Sequence, residues 1–154
     1  MYLTADETLT ILDKVIELFI LPRFEELGMR ATGEWEQNIS SESTGLNSGS
    51  IMGRQYTEQL VKGLEPGHYV SIPALKAWAM AKFGLFETAA TPVAFAVREK
   101  IFQRGTSWYE QGGSNLMEVL EEPRTLQYIQ EEVGGKFKLK IEQALIRNAE
   151  EIFL

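Results

Sequence analysis

The side chains that most often carry chemistry are few in this sequence, and they do not converge. Its single histidine, His68, lies in a Gly/Pro-rich connector and has no serine or carboxylate spaced around it as a triad requires. It reads as a solvent-facing or locally hydrogen-bonded loop residue. The chain contains no cysteine, which excludes thiolate nucleophiles, disulfides and Cys-ligated zinc or iron–sulfur sites together. The signatures GxSxG, HExxH, GxxxxGK[ST] and GxGxxG are all missing. Acids are plentiful, but only Asp6 and Asp13 among the 22 are aspartates. The neighbouring pairs Glu25-Glu26, Glu121-Glu122, Glu131-Glu132 and Glu150-Glu151 raise the question of paired acid–base work or a hard-cation site. Adjacent residues on a helix point about 100° apart, so such pairs do not converge on one ion or bond. They read as solvated helix faces. Trp35, Trp78 and Trp108-Tyr109 invite comparison with a base-stacking platform, yet their spacing is that of core residues in an acidic chain. No catalytic, metal-binding or cofactor-binding residue is assigned, and the composition argues against an enzyme.

Charge says more about partners. The 154 residues carry a formal −7, distributed unevenly. Residues 1–53 hold nine acids and three bases, residues 54–108 four acids and seven bases, and residues 109–154 nine acids and five bases. An acidic protein repels phosphate backbones, so autonomous DNA or RNA binding is not expected. The basic middle between acidic ends either allows copies to associate head to tail or is a chance asymmetry of a solvated surface. No segment reaches the ~18–20 uninterrupted apolar residues that span a bilayer. The opening MYLTADET is acidic and unlike a signal peptide, so a cytosol-like compartment is the expectation.

The elements that position these residues are mostly helical. Thr4 with Glu7 forms a capping box, and Leu9, Leu12, Val15, Ile16, Phe19 and Leu27 give one apolar stripe over a helix at 5–28. Pro22 predicts a kink or a second helix start, and Gly28 a stop. Trp35, Gln37 and Ile39 alternate as a strand, and 51–56 returns, giving a hairpin at 33–57. Between them SSESTGLNSGS (40–50) reads as a long flexible tip, which either reaches a partner or is a disordered surface loop. A short helix follows, closed by Gly63. Ser71 and Pro73 open a helix ending at Gly84, and Thr91-Pro92 opens one ending at Gly105. Further helices are expected at 115–122 and 124–133, with Gly134-Gly135 as a break or kink before a helix at 136–152. The expected class is α+β in one domain: mostly helical, with a long N-terminal helix, and helices packed against one long-tipped hairpin.

One stretch is recognisable. Tyr56, Gly63, Pro66-Gly67, Ile72-Pro73, Leu75, Trp78 and Lys82 read as Y-x6-G-x2-P-G-x4-I-P-x-L-x2-W-x3-K, continued by Ala94 to Arg98, Ile101 and Gly105-Thr106. Upstream, Ala31-Thr32-Gly33 follows the long helix. This pattern resembles the small tail-completion or neck proteins of tailed bacteriophages, which join the capsid portal region to the tail. The match covers about half the chain, chiefly residues 56–106, and Glu34 and Glu36 stand where that family usually carries bases. The resemblance implies a virion structural protein of the neck, present in host cytoplasm during assembly. Its copies would form a homo-oligomeric ring of six or a multiple of six, through which DNA passes without sequence-specific binding. Partners would be other copies, the portal or connector and tail proteins, with no membrane and no cofactor. Gly33, Tyr56, Gly63, Pro66, Pro73, Trp78, Lys82, Ile101 and Gly105 carry the pattern. Each is also explained by fold maintenance, since Pro73 and Pro92 begin helices while Gly84 and Gly105 end them. Candidate interface residues are Ser43, Thr44, Leu46 and Asn47 in the tip, and Phe153 and Leu154 at the apolar C-terminus. The alternative is a small helical adaptor or inhibitory protein that docks one helix in a partner's groove.

Overall fold

The computed structural model describes residues Met1–Phe153; the Phe153 side chain and Leu154 lie outside the described residues. The fold is α+β and mostly helical, with one antiparallel hairpin and a long N-terminal helical run. Helix α1 (Ala5–Val15) begins at Thr4. The Thr4 hydroxyl accepts from the Glu7 amide at 3.2 Å, and the Glu7 carboxylate accepts from the Thr4 amide at 2.8 Å. This capping box satisfies two donors that the first helical turn leaves unpaired. A π-helical turn spans Ile16–Ile20, and α2 (Leu21–Glu26) continues from it. Pro22 has no amide for the carbonyl four residues back and its ring crowds that carbonyl, so the helix widens just before it. The widened turn moves the apolar stripe. Thr8, Ile11, Val15, Ile16, Ile20 and Phe24 are buried, while Leu9, Leu12, Phe19 and Leu27 are half-buried. Helix α2 closes with paired bonds, the Gly28 amide to the Glu25 carbonyl and the Met29 amide to the Phe24 carbonyl.

Tertiary contacts divide the chain into two units. The first comprises Met1–Ile20, Ser40–Met52 and the chain from Val119 on; the second comprises Leu21–Ile39 and Gly53–Glu118.

In the first unit, β1 (Ser40–Gly45) pairs with β2 (Ser48–Met52), with Ser41 opposite Ile51 and Ser43 opposite Gly49. The hairpin is therefore 40–52 rather than 33–57, and the polar run read as a flexible tip supplies most of its strands. The turn itself is only Leu46-Asn47, with Asn47 at a positive φ of 57°. What holds these Ser/Thr strands is backbone and polar contact, not apolar burial. A Cβ on Gly49 would lie 2.5 Å from Leu12 Cδ1, so the strand lies directly on α1. The Ser41 hydroxyl donates to the Asp13 carboxylate, and Asn47 Oδ1 accepts from the Leu3 amide at 2.6 Å. Helix α8 (Pro123–Phe153) is one continuous helix of 31 residues, with no break at Gly134-Gly135. Two helical glycines cost roughly 1 kcal/mol each against alanine, which packing outweighs. Helix α8 lies along α1 and the π-helical turn after it: Lys140 Nζ meets the Glu7 carboxylate at 2.9 Å, and Tyr128 packs on Phe19 of the turn at 5.5 Å.

In the second unit, residues read as a strand form α3 (Glu34–Asn38) instead. Trp35 is buried there and stacks on Phe24 at 4.6 Å, a contact with a residue eleven positions away that local alternation does not reveal. Helix α4 (Thr57–Lys62) ends at Gly63, and α5 (Ile72–Phe83) starts with Ser71 Oγ accepting from the Ala74 amide, as the sequence predicts. Helix α6 (Glu87–Arg104) starts five residues earlier than predicted and contains Pro92. Its first turn is fixed by fully buried Ala90 and by the Glu87 carboxylate accepting from Lys76 Nζ at 2.7 Å. Those contacts offset the one backbone bond that Pro92 removes. The core between α5 and α6 is Leu75, Ala94 and Ile101, with Leu64, Val70, Ile72 and Val97 against it. Helix α7 (Ser107–Glu110) lies between Gly105 and residue 115, where the sequence predicts no element. Of the helix predicted at 115–122 only a 3-10 turn, Met117–Glu121, forms, because Pro123 starts α8 at once.

Candidate functional site

All the family-pattern residues fall in the second unit, and all the candidate interface residues fall in the first. The second unit shows why the pattern takes the residues it does. Gly63 (φ +79°) ends α4 directly against the backbone of Trp108 and Tyr109, where a side chain would collide with main-chain atoms. Gly105 (φ +79°) ends α6 with the Leu64 carbonyl 2.6 Å from where its Cβ would stand and the Pro66 ring beside it. Thr106 then joins the two ends. Its amide donates to the Leu64 carbonyl, and its hydroxyl accepts from the Leu64 amide, both at 2.9 Å. The Gly67 amide donates to the Phe102 carbonyl at 2.8 Å. The Gly-x-x-Pro and Gly-Thr segments are therefore two sides of one backbone clamp. Thr106, part of the sequence pattern but not singled out as a site residue, is its central side chain.

Trp78 and Lys82 sit one turn apart on α5, and Lys82 ties that helix to the loop after α2. Lys82 Nζ donates to the Gly28 carbonyl and lies 3.4 Å from the Arg30 carbonyl, a cation at the carbonyl end of a helix. Gly33, Trp35, Tyr56, Trp78 and Lys82 all line one cavity of about 520 Å³. Within it Trp35 Nε1–H donates to Thr57 Oγ1 at 2.8 Å, and burial pushes the Tyr56 phenol above its usual range. Trp35 is core, as its spacing implies; Trp78 and Trp108 are half-buried in the wall. Ile101 and Gly105 line an adjacent groove, while Pro73 is exposed in the first turn of α5.

The candidate interface residues lie on the first unit. Leu46 is 71% exposed at the hairpin turn, and Thr44 Oγ1 bonds Ser48 Oγ at 3.2 Å. Asn47 is already engaged by Leu3, so of the tip residues Leu46 is the one left free to be an apolar contact. Phe153 and Leu154 as a docking pair lie outside the described residues in their side chains. Residues just before them do not: every residue from 141 to 152 is exposed. Ile141, Leu145 and Ile152 are thus displayed at a helical spacing that the sequence makes visible, although their exposure is not.

His68 Nε2 faces Glu65 Oε1 at 3.3 Å with both side chains largely exposed. Glu25 pairs with Arg30, and Glu122 with Arg124. No group of three or more His, Asp or Glu able to hold a metal ion occurs among the described residues. No helix among them is long and apolar enough to cross a membrane.

In comparison with known proteins, the chain matches no family model, and no curated protein or solved structure is significantly similar to it.

Proposed function

We propose that this chain is a virion structural protein of a tailed-phage neck, similar to tail-completion or head–tail joining proteins, and that it works by assembly rather than catalysis. The observation that carries this reading is the clamp. Four of the residues behind the resemblance form one connected device: Gly63 and Gly105 at closed helix ends, Pro66 beside Gly105, and Thr106 between the two ends. Copies would pack side by side as a ring of six or a multiple of six on the portal–tail axis. The Leu46 turn and one chain terminus would then meet the components above and below. The first unit holds twelve acids and six bases, so it accounts for −6 of the −7. An acidic lumen lets DNA pass without holding it by its phosphates. Expected locations are the virion, and host cytoplasm during assembly.

The test is loss of function. Particles assembled without this chain should contain packaged heads and separate tails that do not join. Infectious particles of normal morphology without it would refute the neck role. The exposed apolar end of α8 favours a second reading, an adaptor whose helix docks in a partner's groove. A stable one-to-one complex with a soluble partner, and no ring, would decide for that reading.

A further inference from the structure

Residues 141–152 of α8 and the groove of the second unit have complementary surfaces. At about 100° per residue, Ile141, Leu145 and Ile152 fall within about 40° of one another on α8. They are 49%, 63% and 77% exposed. Glu142 borders this stripe on one side and Glu151 on the other, and neither has an ion partner among the described residues. The groove, about 410 Å³, has an apolar floor that includes Leu64, Val70, Leu75, Val97 and Ile101. Its rim carries Lys100, and Arg104 stands one turn further along α6. Neither cation has a carboxylate partner among the described residues, whereas Lys62 and Lys76 on neighbouring helices are paired with Glu58 and Glu87. Among the described residues, acids without an ion partner flank the exposed stripe, and bases without one stand at the groove.

We infer that the α8 end of one copy docks in the second-unit groove of another copy, with Leu145 as an apolar anchor and Lys100 facing the acidic flanks. Pairing of two α8 stripes with each other is disfavoured, because it sets Glu142 and Glu151 against like charges. The contact is heterologous, since each copy offers one helix and one groove. Such a contact closes into a ring or extends into a filament. This inference rests on the self-association in the proposed function, but not on the neck as its location.

The absence of cysteine makes the contact directly readable. Val97→Cys and Leu145→Cys are made separately in the full-length protein, mixed under different tags and oxidised. A disulfide between the two variants is expected, with Leu145→Cys failing to pair with itself. Sedimentation equilibrium supplies a second readout on exposed positions. Leu145→Glu and Lys100→Glu should each weaken self-association at least tenfold with unchanged circular dichroism. Mixing Lys100→Glu with Glu142→Lys/Glu151→Lys should restore it. Pairing of Leu145→Cys only with itself, a wild-type protein that stays monomeric, or full association of Leu145→Glu would each overturn the inference. Virion content is a separate readout. A monomeric purified protein that is nonetheless a virion component would remove the groove contact and leave the neck reading standing.

Discussion

Two pairs of glycines show how differently the two units are built. Gly63 and Gly105 in the second unit stand where a single Cβ would collide with backbone, both with φ near +79°. Gly134 and Gly135 in α8 of the first unit have nothing within 4 Å of where a Cβ would go. The former are demanded by close approach of two chain segments; the latter are tolerated in a helix held by packing elsewhere. Charge follows the same division, since the second unit is nearly neutral and the first carries most of the negative charge. One unit spends its special residues on fixing a body, and the other on exposed surface.

Substitutions can break this contrast, and the largest effect belongs to the clamp. Gly63→Ala should destabilise the protein by about 3–5 kcal/mol, from strain at positive φ and collision with Tyr109, read by urea unfolding. Hydrogen exchange should show protection lost first over 57–114. An effect below 1 kcal/mol would mean the α4 and α7 ends are not closely packed. Thr106→Val keeps the shape but leaves the Leu64 amide without its acceptor. It should cost about 1–3 kcal/mol, and Thr106→Ser should recover most of that. In the opposite direction, Gly134→Ala and Gly135→Ala should each stabilise by about 0.5–1 kcal/mol. Destabilisation at either would show that α8 needs a bend there.

The smallest effect is electrostatic. The Thr4 amide, and after it Lys140, hold the Glu7 carboxyl below its ordinary value of 4.5. A lowered folded-state value contributes stability that is present above 4.5 and is lost as pH falls through that lowered value. Acid titration of unfolding should therefore be shallower in Glu7→Gln than in the wild type. Equal slopes would mean that neither the Glu7–Thr4 cap nor the α1–α8 tie contributes measurably through the Glu7 charge.

Much of the fold was legible where side chains announce helix ends. Thr4 with Glu7, Ser71 with Pro73, and Gly63, Gly84 and Gly105 each mark a boundary by local chemistry, and each lies where it was read. What was not legible depends on distant contacts. The strands at 40–52 contain almost no apolar residues, so period-2 patterning is silent; their backbone ladder and the Ser41–Asp13 and Asn47–Leu3 bonds hold them, and Gly49 lets the chain come close to Leu12. Trp35 imitates a strand residue until Phe24 is seen to stack on it. Pro92 imitates a helix start until Ala90 and Lys76 are seen holding the turn before it. Among site residues, the pattern from Tyr56 to Gly105 marked the clamp and cavity. The exposed stripe on α8 was visible as a spacing only, because periodicity does not say whether an apolar face is covered.

The most direct test of the neck assignment is quantitative mass spectrometry of purified virions, with this chain measured against the portal protein. The expected result is a fixed copy number per particle equal to six or a multiple of six. Absence of the chain from purified infectious virions would contradict the assignment.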